Sequence, residues 1–203
     1  MCYSATSSFG TFLFVFSICA LLWVKGSLVQ KGIAIILLSI SLMQVLEGLI
    51  WLNTECSNTN IIITSFIPLL LFIQPIVAIG TVYAFGIGDL SPLIYKTLLG
   101  IWLLSIPSFM YWMKDGLGKC TTIGDNGHLV WPFTNTNEYF FAEIVYNTLL
   151  IIAFISLKTK WYGFFYIFMS VLGFWKSRIT YGHSWGSVWC HFVNILAIGA
   201  LFI

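Results

Sequence analysis

The chain has 203 residues, of which 8% are charged and 59% apolar, with a formal net charge of +2. Soluble domains carry about 25% charged residues, so this composition, with a mean hydropathy of +0.95, excludes that class. The small net charge leaves no footprint for nucleic acid.

A hydrocarbon core of roughly 30 Å takes about 20 helical residues. The apolar residues fall into blocks of about that size: Ser8–Val24, Gly32–Asn53, Ile61–Phe85, Thr97–Met113, Tyr139–Leu157, Gly163–Thr180 and Ser184–Ile203. They predict an all-α polytopic membrane protein, a bundle of seven transmembrane helices forming a single domain over residues 1–203. The first block follows no basic residue and leads to no small-residue cleavage site. It is therefore read as a span and not a cleavable signal, with Thr6 or Ser7 expected to cap its helix. Pro68 and Pro75 in the third block and Pro107 in the fourth predict kinks. The long 114–138 loop holds Asp115, Lys119, Asp125, His128 and the turn signal Asp125-Asn126-Gly127.

Orientation follows from lysine and arginine. Loops after the first, third and fifth spans carry Lys25, Lys31, Lys96, Lys158 and Lys160, while the opposite side carries Lys114 and Lys119. Lys176 and Arg178, near the end of the sixth span, are read as snorkelling from within the bundle. This arrangement predicts an exoplasmic N-terminus and a cytoplasmic C-terminus. Cys2, Cys56, Cys120 and Cys190 all fall on the side assigned as exoplasmic, and Cys19 lies inside the first span. That distribution fits an oxidising exoplasmic or lumenal face. Four cysteines allow three pairings; the favoured one joins Cys56 to Cys120, both in loops, and Cys2 to Cys190. The second bond would draw the Tyr3–Ser8 segment over the outer mouth. The alternative is that these cysteines are free small hydrophobes.

An ionisable side chain deep in a bilayer costs roughly 2.5–3.5 kcal/mol on the mildest scale. Glu47 lies on one stripe with Ser41, Gln44, Gly48 and Trp51, roughly 9 Å inside the outer end of its span. Glu143, Tyr146 and Asn147 repeat the theme in the fifth span, with Glu143 shallower. His183, Ser187, Cys190, His191 and Asn194 share a face of the seventh. Gln74 is the strong polar group near the middle of the third. With Lys176 and Trp189, these residues predict an outward-facing polar pocket whose ligand or ion candidates are Glu47, Gln44, Glu143, Asn147, His191, Asn194, Lys176 and Trp189. The competing reading makes Glu47 packing glue and Glu143 an interfacial carboxylate near a helix N-terminus. Glu47, His183 and His191 are weak metal candidates, because their chemistry suits zinc but no metal-ligand spacing is present. No cofactor motif is found. Most tryptophans, among them Trp23, Trp112 and Trp161, fall near span ends as an interfacial belt.

Met1-Cys2-Tyr3-Ser4-Ala5-Thr6, Gln44 with Glu47-Gly48 and Trp51, and Gly186-Ser187-Val188-Trp189-Cys190 together carry a resemblance. The chain resembles an uncharacterised family of small multi-pass membrane proteins that open Met-Cys-Phe/Tyr-Ser-Ala-Thr and occur in bacteria, algae and large DNA viruses. The resemblance implies a multi-pass protein and directs attention to Cys2, Glu47 and Cys190. It implies no activity.

Three function classes follow. The first is a channel or transporter for a small solute or ion, centred on Glu47. The second is a non-enzymatic structural or interaction subunit, as a homo-oligomer or within a larger membrane assembly. The third is an intramembrane metal-dependent lipid hydrolase, for which an aspartate within the spans is missing. Enzymatic activity is the less favoured side. Membrane lipids are partners in every case.

Overall fold

The computed structural model describes residues 3–134, 137–184, 186–187 and 192–203, with residues 137–141 described by backbone alone. The structure is all-helical: α1 (Ala5–Lys25), α2 (Leu28–Trp51), α3 (Asn58–Ala84), α4 (Pro92–Leu104), α5 (Ile106–Met113), α6 (Asn137–Ile155), α7 (Lys160–Tyr181) and α8 (Phe192–Ala200). Helices α1, α2 and α3 are each long and apolar enough to cross a membrane, and α4 with α5 make a fourth such length bent by 47°.

Local chemistry sets the boundaries. Ser4 caps α1 by accepting from the Ser7 amide, so the cap lies two to three residues before the expected Thr6 or Ser7. The Tyr3–Ser8 segment is accordingly mostly helix and not a loop. Ser27 and Gln30 form a reciprocal capping box at α2. Helix α3 runs unbroken through Pro68 and Pro75. The fourth predicted span does break, at Ser105, two residues before Pro107. Proline lacks the amide that would continue the ladder, and the Ser105 hydroxyl donates to the Trp102 carbonyl at 2.6 Å. A tight turn at Gly182–Ser184 occupies the start of the seventh predicted block, in which residues 186–187 and α8 are helical among the described residues.

Packing closes the helices into a ring. α1 packs on α2, α2 on α3, α3 on α6, α6 on α7, α7 on α8, and α8 returns to α1 and α2. Gly48 of α2 meets the Phe9 ring of α1, where a Cβ would fall 2.7 Å from ring carbons. The α4–α5 pair lies outside the ring against α3 and α6. It is held by Trp102, whose indole stacks on Phe72 and donates to the Phe72 carbonyl at 2.8 Å. Broad apolar faces remain exposed, for example Phe164, Phe168, Val171, Trp175 and Ile179 of α7. In water such a patch would be a liability; in lipid it is the expected surface.

The connections gather at two opposite ends. One end holds the Cys56–Cys120 disulfide, with Cα atoms 5.5 Å apart, as the loop cysteines predicted. Beside it Asn60 is fully buried: its Nδ2 donates to the carbonyls of Asn53 and Thr121, and its Oδ1 accepts from the Thr121 amide and the Thr64 hydroxyl. A small antiparallel hairpin, β1 (Thr122–Ile123) with β2 (Leu129–Val130), turns at the predicted Asp125-Asn126-Gly127. Asn126 Nδ2 donates to the Tyr181 carbonyl, Ser184 donates to Asn126 Oδ1, and Thr134 donates to the His183 carbonyl. The hairpin thus lies across this end as a cap.

At the other end, the α3–α4 and α6–α7 loops zip together through a bridge between Gly88 and Leu157. The Asp89 amide donates to the Ser156 carbonyl, and the Lys158 amide to the Ile87 carbonyl. Lys160 pairs with Asp89. Gly88 is required here, since a Cβ would lie 1.9 Å from the Tyr95 hydroxyl oxygen. Gln30 Nε2 donates to the Ala200 carbonyl at the same end.

Candidate functional site

Polarity is divided unevenly along the bundle. The buried Gln, Glu and Asn side chains among the described residues are Gln44, Glu47, Asn60, Gln74 and Glu143. Each lies between the middle of the bundle and the disulfide end. Toward the zipped end the core is mostly apolar, with Ile33, Ile36 and Leu37 of α2, Ala78 and Ile79 of α3, Leu150 and Ala153 of α6 and Ala197 of α8, and with the small hydroxyls of Thr81 and Ser156 among them. Two buried tyrosines complete that seal. Tyr162 donates to the Leu196 carbonyl at 2.9 Å, and Tyr166 stacks on Phe154 with centroids 3.6 Å apart.

Helix α2 positions the first group. Ser41, Gln44, Glu47 and Gly48 are buried and Trp51 half-buried, because a spacing of three to four residues keeps them on one face. Glu47 lies four residues before the end of α2, roughly 6 Å deep along the axis. Both Glu47 and Gln44 are 0% exposed, so the predicted stripe faces the bundle interior and not lipid.

A second group spans three helices at mid-depth. Tyr146 of α6 donates to Gln74 Oε1 of α3 at 2.5 Å, and Gln74 Nε2 donates to the Ser39 carbonyl of α2 at 3.2 Å. This bridge uses both ends of the Gln74 amide and satisfies it within the core.

The third group lies between α6 and α7. Arg178 Nη2 meets Glu143 Oε2 at 3.0 Å, and the Glu143 side chain is only 4% exposed. Glu143 is therefore no interfacial carboxylate at a wetted helix end, but half of an ion pair one to two turns inside α6. The guanidinium also sits 5.0 Å from the Phe174 ring centroid, a cation–π distance. Sequence reasoning placed Lys176 at the pocket; in the structure Lys176 is exposed and Arg178 is turned inward. Two residues rotate a helix by about 200°, so only one of the two cations can face α6.

The remaining candidates are dispersed. Asn147 donates to the Glu143 carbonyl of its own helix at 2.9 Å and is half-buried. Asn194 of α8 is half-buried with its Oδ1 enclosed and unpartnered. His183 is exposed in the Gly182–Ser184 turn. Trp189 and His191 lie outside the described residues, as does the expected Cys2–Cys190 bridge. Among the described residues no three His, Cys, Asp or Glu side chains gather as a metal site requires. Cys19 is a buried free thiol.

The groups that sequence reasoning left out of its site are Gln74, Tyr146, Arg178 and His128. Gln74 and Tyr146 were visible as polar residues in apolar helices, but nothing in their own segments named the partner. His128 gave no such signal. It is 0% exposed in the cap, with the Tyr3 ring centroid at 4.1 Å and the Tyr181 ring centroid at 4.9 Å.

Comparisons with known proteins give no match: no family model, curated sequence or solved structure is similar to the chain.

Proposed function

We propose that the chain is a seven-span membrane protein that binds a small solute or ion in a polar half-bundle pocket, opening toward the disulfide-bearing side and serving transport. The observation that carries this reading is the fully buried Glu47 with Gln44, set within the one half of the core that holds the buried amides and carboxylates. Ionisable groups at membrane depth mark substrate and proton paths. The apolar, tyrosine-sealed half beneath them closes the far side, which is the arrangement of a carrier occluded at one end.

Support for seven spans comes from the alternation of connections between two ends. The α2–α3, α5–α6 and α7–α8 links meet around the cap, while the α1–α2, α3–α4 and α6–α7 links meet at the opposite end. The α4–α5 pair counts as one broken span. The end with Lys25, Lys31, Lys96, Lys158 and Lys160 is the cytoplasmic one by the positive-inside rule, and the disulfide belongs on the oxidising side. Cysteine-accessibility labelling of Lys158→Cys against Asp125→Cys in sealed vesicles tests this orientation; labelling of both from one side removes it.

Glu47 acts as the cation- or proton-binding group, and Gln44 as a neutral neighbour that orients the ligand. Purified protein in liposomes is expected to pass protons or a small cation above the empty-vesicle rate, with loss of flux in Glu47→Gln. Background flux in both proteins across several ions would move the reading to a structural subunit of an assembly.

A further inference from the structure

We infer that the 117–134 cap is a proton-operated lid, latched by the neutral imidazole of His128 between Tyr3 and Tyr181. The inference concerns access to the pocket proposed above and rests on that reading for its consequence only; lid opening is a property of the cap itself.

The latch is built from three parts of the chain. Tyr3 precedes α1, Tyr181 ends α7, and His128 sits on the hairpin between them. The His128 ring is tilted by 41° against Tyr3 and meets Tyr181 edge-on at 81°. The imidazole is fully buried, yet neither Nδ1 nor Nε2 has a hydrogen-bond partner. A buried polar group without partners costs about 1–3 kcal/mol, so packing alone is a poor reason to place histidine where phenylalanine fits. The backbone around it is fixed independently, because the His128 amide donates to Asn126 Oδ1 and its carbonyl accepts from the Gly124 amide.

The surroundings favour the uncharged ring. Tyr3 and Tyr181 bring phenol rings, and Asp125 on the same hairpin is exposed. Among the described residues no carboxylate acts on the imidazole. Burial holds its pKa below the ordinary 6.5. A group with a depressed folded pKa of this kind stabilises the closed state above the open-state value. That stabilisation fades as pH falls below about 6.5 and through the closed-state value. Protonation must hydrate the ring, which separates it from Tyr3 and Tyr181. The disulfide and the Asn60–Thr121 contacts keep one edge of the cap on α3, so the cap hinges there.

Hydrogen exchange of the full chain in detergent micelles, corrected for intrinsic rates, tests the latch. Protection of residues 3–12 and 122–130 is expected to fall by about tenfold or more between pH 8 and pH 5, with the core of α2 unchanged. His128→Phe keeps the ring stack and cannot protonate; it is expected to hold protection at pH 5. Tyr3→Ala should expose the hairpin at both pH values. Wild-type protection independent of pH, an equal acid loss in His128→Phe, or full protection in Tyr3→Ala would each overturn the inference. Should His128→Phe fail to fold, the wild-type imidazole titration followed by NMR decides. Its midpoint must lie below 6.5 and coincide with the exchange change, and separate midpoints refute the latch. None of these readouts involves flux, so loss of the transport reading leaves this test intact.

Discussion

Tyr146 and Gln74 are joined across the middle of the bundle by a 2.5 Å hydrogen bond, which ties α6 to α3 and, through the other end of the Gln74 amide, to the Ser39 carbonyl of α2. The consecutive helices α2 and α3 and the distant α6 therefore share one polar contact at mid-depth. Water at this depth is scarce, so each member depends on the others for satisfaction.

Replacing Tyr146 by Phe removes the donor and leaves Gln74 Oε1 buried. A loss of about 1–2 kcal/mol is expected in a micellar unfolding titration. In a double-mutant cycle, Gln74→Leu should cost less when added to Tyr146→Phe than when made alone, with a coupling near 1 kcal/mol. Strict additivity would mean that the contact carries no energy.

The Arg178–Glu143 pair makes a directional prediction. Arg178→Ala strands a nearly buried carboxylate, and removal of one partner from a buried pair costs about 3–5 kcal/mol. The Arg178 side chain is 36% exposed, so solvent screening lowers the expected loss to about 2 kcal/mol. Adding Glu143→Gln to Arg178→Ala should recover part of that loss. The same midpoint measurement that shows the double variant weaker than Arg178→Ala would contradict the pairing.

The disulfide closes a separation of 64 residues. The chain-entropy relation assigns such a closure about 4 kcal/mol. Cys56→Ser with Cys120→Ser should lower the thermal midpoint markedly and abolish the mobility difference between reduced and unreduced protein on a denaturing gel. An unchanged mobility difference would mean that a different pair of cysteines is joined.

Gly88→Ala should be costly out of proportion to one methyl group. The new Cβ would displace the Tyr95 hydroxyl, which donates to Ser156 Oγ at 3.1 Å, and press on Val82. Overpacking of this kind costs about 1–3 kcal/mol. Gly10→Ala, where a Cβ meets nothing within 4 Å, is the control expected to stay near wild type in the same thermal scan.

The apolar blocks and their ends were readable because they depend on local composition. α1, α2 and α3 start three to four residues before the predicted spans and end within two residues of them. The break beside Pro107 and the turn at Asp125-Asn126-Gly127 were readable for a similar reason, since proline geometry and turn chemistry act over two to four residues. Pairings between helices were less accessible. Lys176 and Arg178 are equally basic, and only the rotation of α7 against α6 decides which one meets Glu143. Gln74 looked isolated in its own helix because its donor is 72 residues further along. His128 lay in a polar loop where burial is not expected, and its environment arises only when the N-terminal residues and the end of α7 meet above the bundle. The cysteines were an intermediate case, as chemistry limited the pairings and their placement in loops favoured Cys56 with Cys120.

The bridge between Gly88 and Leu157 bears on the order in which the protein is made. The α4–α5 pair is anchored at one end by this bridge and at the other by the Cys120 disulfide, and among the described residues it packs mainly on α3 and α6. The cysteine anchor is available once residue 120 has emerged; the Leu157 anchor requires a further 37 residues, which at translation rates of about 5–20 residues per second takes roughly 2–7 s. During that interval α4 and α5 are tethered at one side alone, with half of their docking surface still unmade.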